Sequence, residues 1–98
     1  MISVVVLSLV FASQLAFAGN GDDVYDRSCA RCHDHARFDA PRPLSAELRE
    51  RLELRGSEGL WGSIVNGRAR MPKNGGCFEC TDADLRQALS SMLGQSLD

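Results

Sequence analysis

The stretch Cys29-Ala-Arg-Cys32-His33 constrains this chain more than any other. Two thiols separated by two residues, with an imidazole directly after them, form the attachment pattern of a c-type haem. The sulfurs can add to the two haem vinyl groups as thioethers, which leaves His33 held under the ring where it can bind iron. Five fixed positions can arise by chance. Haem attachment also demands a second iron ligand and a suitable compartment.

The compartment is read from the first residues. Met1 to Ala18 is largely apolar, carries no side-chain charge and ends in Ala16-Phe17-Ala18 before Gly19. That small-x-small ending marks a cleavable export signal. Ser8, Ser13 and Gln14 interrupt a run already short for a membrane span, so a signal over residues 1–18 is the reading, with an uncleaved anchor as the alternative. No Lys or Arg precedes the run, which departs from the usual signal. Residues 19–98 are then a single small domain of 80 residues. A domain of that size buries a modest share of its surface and is marginal without a staple, metal or cofactor. All eleven basic and thirteen acidic residues lie in it, and no basic stripe argues for nucleic acid. Four cysteines behind an export signal fit an oxidising compartment.

The remaining pattern is helical. From Gly21 to His33 the spacing predicts a short helix, with Asp22 and Asp23 in the first turn, where acidic side chains suit the helix dipole. Tyr25, Cys29 and Cys32 then share one face. Asp34 to Pro43 has no apolar period and reads as loop, from which a backbone carbonyl would orient His33; His35 reads as an exposed side chain. Leu44, Leu48 and Leu52 mark a second helix over Ser45 to Leu54. Ser57 is placed as the cap of a third, with Leu60, Trp61, Ile64 and Val65 on its apolar face and Gly67 at its end. Arg49, Arg51 and Trp61 are candidates to reach the haem propionates, although a solvated face for the arginines and plain packing for Trp61 fit as well. Thr81-Asp-Ala-Asp84 approximates a capping box and opens a last helix through Leu85, Ala88, Leu89, Met92 and Leu93 to Gly94. That helix is expected to pack on the first, near Tyr25.

Between the third and last helices lie two further features. Met71 sits in a turn-rich loop and is followed by Pro72, which limits its backbone. A soft thioether is a suitable sixth ligand for haem iron, and opposite His33 it would raise the reduction potential. Met1 lies in the signal and Met92 on the last helix, so Met71 is the candidate. Cys77-Phe-Glu-Cys80 is a second C-x-x-C with no histidine after it. It reads as a structural disulfide contributing about 2 kcal/mol, in preference to a redox dithiol, because no thioredoxin-like strand pattern surrounds it.

With these residues in place, the chain resembles the small monohaem class I cytochromes c, and most closely the cytochromes c5. The resemblance spans about Gly21 to Leu93. It rests on Cys29, Cys32 and His33, the Ala40-Pro41 pair, Gly67, Met71-Pro72 and the run from Gly76 through Cys77 and Cys80 to Leu85. It implies an all-α fold of four to five short helices around one covalently bound haem, with the first and last helices crossing beside it. It also implies that Cys77 and Cys80 are disulfide-bonded and that the Pro41 carbonyl accepts the His33 ring proton. Ala36 and Asp39 stand where the family carries glycines, Arg49 near its tryptophan, and Ser91 in place of an aromatic. The loop after His33 is therefore expected to bend differently, and the last helix to contact Tyr25 less.

The function expected is one-electron transfer in the periplasm by a protein that is not an enzyme. One haem c per chain would be held by Cys29 and Cys32, with His33 and Met71 as axial ligands. Its partners would be redox proteins, an electron donor and an acceptor, a membrane reductase or oxidase among the candidates, and the membrane itself only if the N-terminal segment is retained. Three other readings compete: structural zinc on the two C-x-x-C pairs, thiol-redox chemistry at Cys77 and Cys80, and a haem subunit of a larger respiratory enzyme. The 44 residues between Cys32 and Cys77 are long for a zinc pattern.

Overall fold

A computed structural model describes residues 20–97 of the chain. The expected export signal lies outside them. No described helix is long and apolar enough to cross a membrane.

The first helical segment runs without interruption from α1 (Asn20–Val24) through a π-helical turn at Tyr25–Cys29 into α2 (Ala30–His33). The wider turn is set by the Ala30 N–H, which donates to the Tyr25 carbonyl five residues back. Asp22 and Asp23 occupy the first turn, where they offset the exposed N–H groups. A loop with a short 3₁₀ turn at Arg37–Asp39 leads to α3 (Ala46–Asn66). Ser45 caps α3 by accepting a hydrogen bond from the Leu48 N–H at 3.1 Å.

The two helices expected between Ser45 and Gly67 are one element with a break. Gly56 takes φ 74° and ψ 168°, so the ladder is interrupted one residue before Ser57, the expected cap. Only glycine reaches that backbone conformation without strain. A second 3₁₀ turn, Lys73–Gly76, precedes α4 (Asp82–Leu93). Thr81 Oγ1 accepts from the Asp84 N–H and an Asp84 carboxylate oxygen accepts from the Thr81 N–H, each at 3.1 Å. This is a complete capping box with aspartate in the reciprocal position. Gly94 ends α4 in the left-handed region at φ 70°.

The helices pack in one layer of contacts. Val24 of α1, 2% exposed, shares one buried cluster with Leu85, Ala88, Leu89 and Met92 of α4 and Leu48, Leu60 and Ile64 of α3. Tyr25 and Met71 pack against the margin of that cluster. Ser91, on the crossing face, donates to Asp22 at 2.8 Å, so a polar contact joins the two helices where an aromatic was absent. The Leu44 N–H donates to the Met92 carbonyl at 2.8 Å and ties the loop before α3 to the end of α4. Among the described residues there is no strand, only an isolated bridge between Arg68 and Met71.

Removing the Thr81 hydroxyl leaves the Asp84 N–H without its acceptor. Thr81→Ala should therefore lower stability by about 1 kcal/mol, read as a lower urea midpoint at an unchanged slope. An unchanged midpoint would show that the capping box contributes nothing to α4.

Candidate haem-binding site

The attachment residues lie on the first helical segment. Cys29 closes the π-helical turn, Cys32 follows within α2, and both are free thiols of intermediate exposure. His33 is the last residue of α2. Its Nδ1–H donates to the Pro41 carbonyl at 2.8 Å. A proton held at Nδ1 leaves the Nε2 lone pair for a metal, and the carbonyl also fixes the ring plane.

The chain needs only eight residues to bring Pro41 back under His33, and it does so by a tight reversal. Ala36, Phe38 and Asp39 take φ values of 55°, 54° and 66°. None of the three is a glycine, so the left-handed bend is present without the residue that suits it. For non-glycine residues such a conformation costs roughly 1–2 kcal/mol each. Strain of this kind gathers where a site imposes the geometry.

Met71 sits in the loop that leaves α3. Gly67 caps α3 at φ 81°, and a Cβ there would lie 3.0 Å from the Met71 carbonyl oxygen and 3.2 Å from the Lys73 nitrogen. The loop therefore folds directly back over a residue with no side chain. The Arg68 and Met71 backbones close it with reciprocal hydrogen bonds of 2.9 and 2.8 Å. Further along, a Cβ on Gly75 would lie 3.8 Å from the Cys29 sulfur, which places the segment after Met71 against the attachment helix. Cys77 and Cys80 have Cα atoms 5.5 Å apart and sulfurs in bonding contact. Arg27 spans from Asp23 at 3.2 Å to Glu79 at 3.4 Å, linking α1 to the tip of that short loop.

Burial pushes the Cys29 thiol up to about 11, so it is protonated at neutral pH. Tyr25 is also raised, by burial first and then by its hydrogen bond to the Asp34 carboxylate. That bond ties the start of the π-helical turn to the residue after His33. Sequence reasoning missed it because nothing in the residue types pairs positions nine apart.

These residues fit a covalently held haem. Two free cysteines stand at the attachment spacing, an imidazole is oriented by a carbonyl, and a methionine-bearing loop lies against the same helix. The zinc arrangement is not formed: among the described residues no cluster of three or more His, Cys, Asp or Glu could hold a metal ion. His35 is exposed. Arg51 pairs with Glu47 at 2.9 Å, Arg49 is exposed, and Trp61 carries the Arg86 guanidinium 4.1 Å above its ring.

Comparison with known proteins gives the same picture. The family model described as cytochrome c oxidase, cbb3-type, subunit III matches residues 16–90. Cytochrome c5 of Azotobacter vinelandii is 34% identical over 79 residues, which cover 79% of this chain and 95% of that protein. Cytochrome c5 of Ectopseudomonas mendocina is 33% identical over 85 residues, covering 81% and 98%. Among solved structures, a chain from the crystal structure of an electron transfer complex of nitrite reductase with cytochrome c superposes with a TM-score of 0.68. It is 25% identical, and the match covers 79% of this chain and 94% of that one.

The strained reversal after His33 makes a direct prediction. Ala36→Gly should raise stability by up to about 1 kcal/mol, because it relieves a left-handed alanine at the cost of a more flexible unfolded chain. A urea midpoint at or below that of the parent protein would show that the bend carries no strain at this position.

Proposed function

The chain belongs to the monohaem class I cytochromes c, close to cytochrome c5, and on that footing we propose that it is a periplasmic one-electron carrier with His33 and Met71 as the axial ligands of its haem iron. The members of this family that it resembles are electron-transfer proteins rather than enzymes, and one haem c per chain follows from the same membership. When bound, haem c supplies a one-electron iron couple.

The chain's own residues would do the rest. Cys29 and Cys32 would anchor the group through two thioethers, after which Cys29 no longer titrates. His33, its Nδ1 proton given to Pro41 at 2.8 Å, would present Nε2 to the iron in one fixed orientation; this is the observation that carries the reading. Met71 would offer a soft sulfur on the other side and so raise the potential. With His33 and Met71 both holding the iron, no open position would remain for a substrate. Export by the segment 1–18 would deliver residues 19–98 to an oxidising compartment, where Cys77 and Cys80 persist as a disulfide.

The partners are redox proteins, a reading supported by the structural neighbour, which was solved in a complex with nitrite reductase. A second reading, a haem subunit of a larger oxidase, draws on the description of the matching family model. The free carrier is the better supported of the two. The cytochrome c5 relatives are matched over 95% and 98% of their own length.

Protein produced in a haem-attaching host should give the pyridine haemochrome spectrum of haem c, with a mass of one haem added to residues 19–98. A colourless product with the bare polypeptide mass would end the proposal, and a retained leader would show in the same spectrum of masses. Met71→Ala should lower the reduction potential and open the iron to carbon monoxide or cyanide. If potential and ligand access stayed unchanged, Met71 would not be a ligand.

A further inference from the structure

Tyr25 and Asp34 enclose the attachment motif, since Cys29, Cys32 and His33 all lie between them. The Tyr25 hydroxyl donates to the Asp34 carboxylate across nine positions. In a regular α-helix nine residues make about two and a half turns, which would set the pair on opposite faces. The π-helical turn removes that obstacle. The Ala30 N–H donates to the Tyr25 carbonyl five residues back, and the Asp34 N–H donates to the Ala30 carbonyl four residues back at 2.9 Å. One wide step and one ordinary step together bring Asp34 round to the side of Tyr25. Turns of this kind gather at functional sites. Here the extra residue has a definite result: a phenol comes within reach of the residue next to His33.

The two ends of this clasp differ. Tyr25 is half-buried and packs against the core cluster shared by α1, α3 and α4. Asp34 is exposed and leads into the bend where Ala36, Phe38 and Asp39 hold left-handed φ values. Between them α2 is a single turn of four residues, too short to hold its own shape. The strain of the bend therefore acts on the end of α2, at His33. Two bonds oppose it, one from the His33 ring to the Pro41 carbonyl and one from Tyr25 to the residue after His33. A hydrogen bond to a carboxylate is about twice as strong as a neutral one. The phenol also keeps its proton for the purpose, because burial first and then the bond to Asp34 raise its pKa.

We propose that Tyr25 is a positioning residue for His33: through Asp34 it passes the rigidity of the helix packing to the end of α2 and keeps the ring nitrogen Nε2 on one line. The inference rests on the reading of His33 as an iron ligand and adds a group that acts on that ligand without touching the iron. Pro41 alone cannot serve, because it fixes the ring relative to the strained loop that carries it. Tyr25 supplies the anchor from the core side. Groups that hold a metal ligand in place from behind set its orientation as firmly as the ligand's own chemistry does, and a site held on rigid elements is more exact than one held on loops.

The test is proton NMR of the oxidised haem protein, whose paramagnetically shifted haem methyl resonances report the orientation of the axial imidazole. A hydrogen bond to a charged group shifts the balance between its made and broken forms by about tenfold or more. Tyr25→Phe should therefore change the spacing of the methyl resonances, or add a second set from a form too rare to see in the parent protein. Asp34→Ala, on an exposed residue, should give the same change, and combining the two should add nothing. Asp34→Asn removes the charge but keeps an acceptor oxygen, and should retain the parent pattern. Parent-like methyl shifts in Tyr25→Phe, even with a lower urea midpoint, would reduce Tyr25 to a packing residue and overturn the proposal. So would additive effects, or an Asp34→Asn spectrum matching that of Asp34→Ala. A parent spectrum without imidazole-bound iron would instead end the reading of His33 as a ligand, and this inference with it.

Discussion

The crossing of α1 and α4 at Val24 is what the rest of the structure depends on. Val24 is almost wholly enclosed by Leu85, Ala88, Leu89 and Met92, and burial of a valine contributes about 1.5–3 kcal/mol. More follows from its position than from its energy. Cys29, Cys32 and His33 are carried on the uninterrupted continuation of α1, so the crossing point sets where they stand relative to α3 and the methionine loop. Few other residues are buried, as expected of a short chain that leaves part of its apolar interior to a cofactor.

Around that crossing, hydrogen bonds rather than apolar contacts adjust the site. The His33–Pro41 bond orients the ring, the Tyr25–Asp34 bond closes the turn that leads to it, and Ser91–Asp22 joins the helices themselves. The first two span connections where the local backbone is irregular. A π-helical turn and a run of left-handed residues are less stable than the regular forms they replace. Side-chain and carbonyl partners of this sort are what hold such segments in one arrangement.

Much of this was legible in the residues. Cys29, Cys32 and His33 announce themselves because the chemistry requires one spacing, and the start of α4 was readable because a capping box is local in sequence. Ser45 and Gly67 mark helix ends for the same reason. The π-helical turn was not legible: Tyr25 and Cys29 stand four apart, which an α-helix would serve equally well. Nor was the single broken α3, since Gly56 followed by Ser57 reads equally as an end and a fresh start. Nor do Ala36 and Asp39 announce the left-handed bend after His33, since local preference disfavours positive φ at either residue. The Arg70 guanidinium lies 3.9 Å over the Phe38 ring, a pairing of residues far apart in sequence that only the meeting of two loops brings about.

Gly67 has a consequence beyond ending a helix. The chain doubles back so closely there that the Met71 carbonyl and the Lys73 amide occupy the space a methyl group would need. The placement of the sulfur is thus governed from four residues upstream, by the absence of an atom. Enlarging that one position would displace the Met71 loop while leaving Cys29, Cys32 and His33 where α1 and α2 hold them.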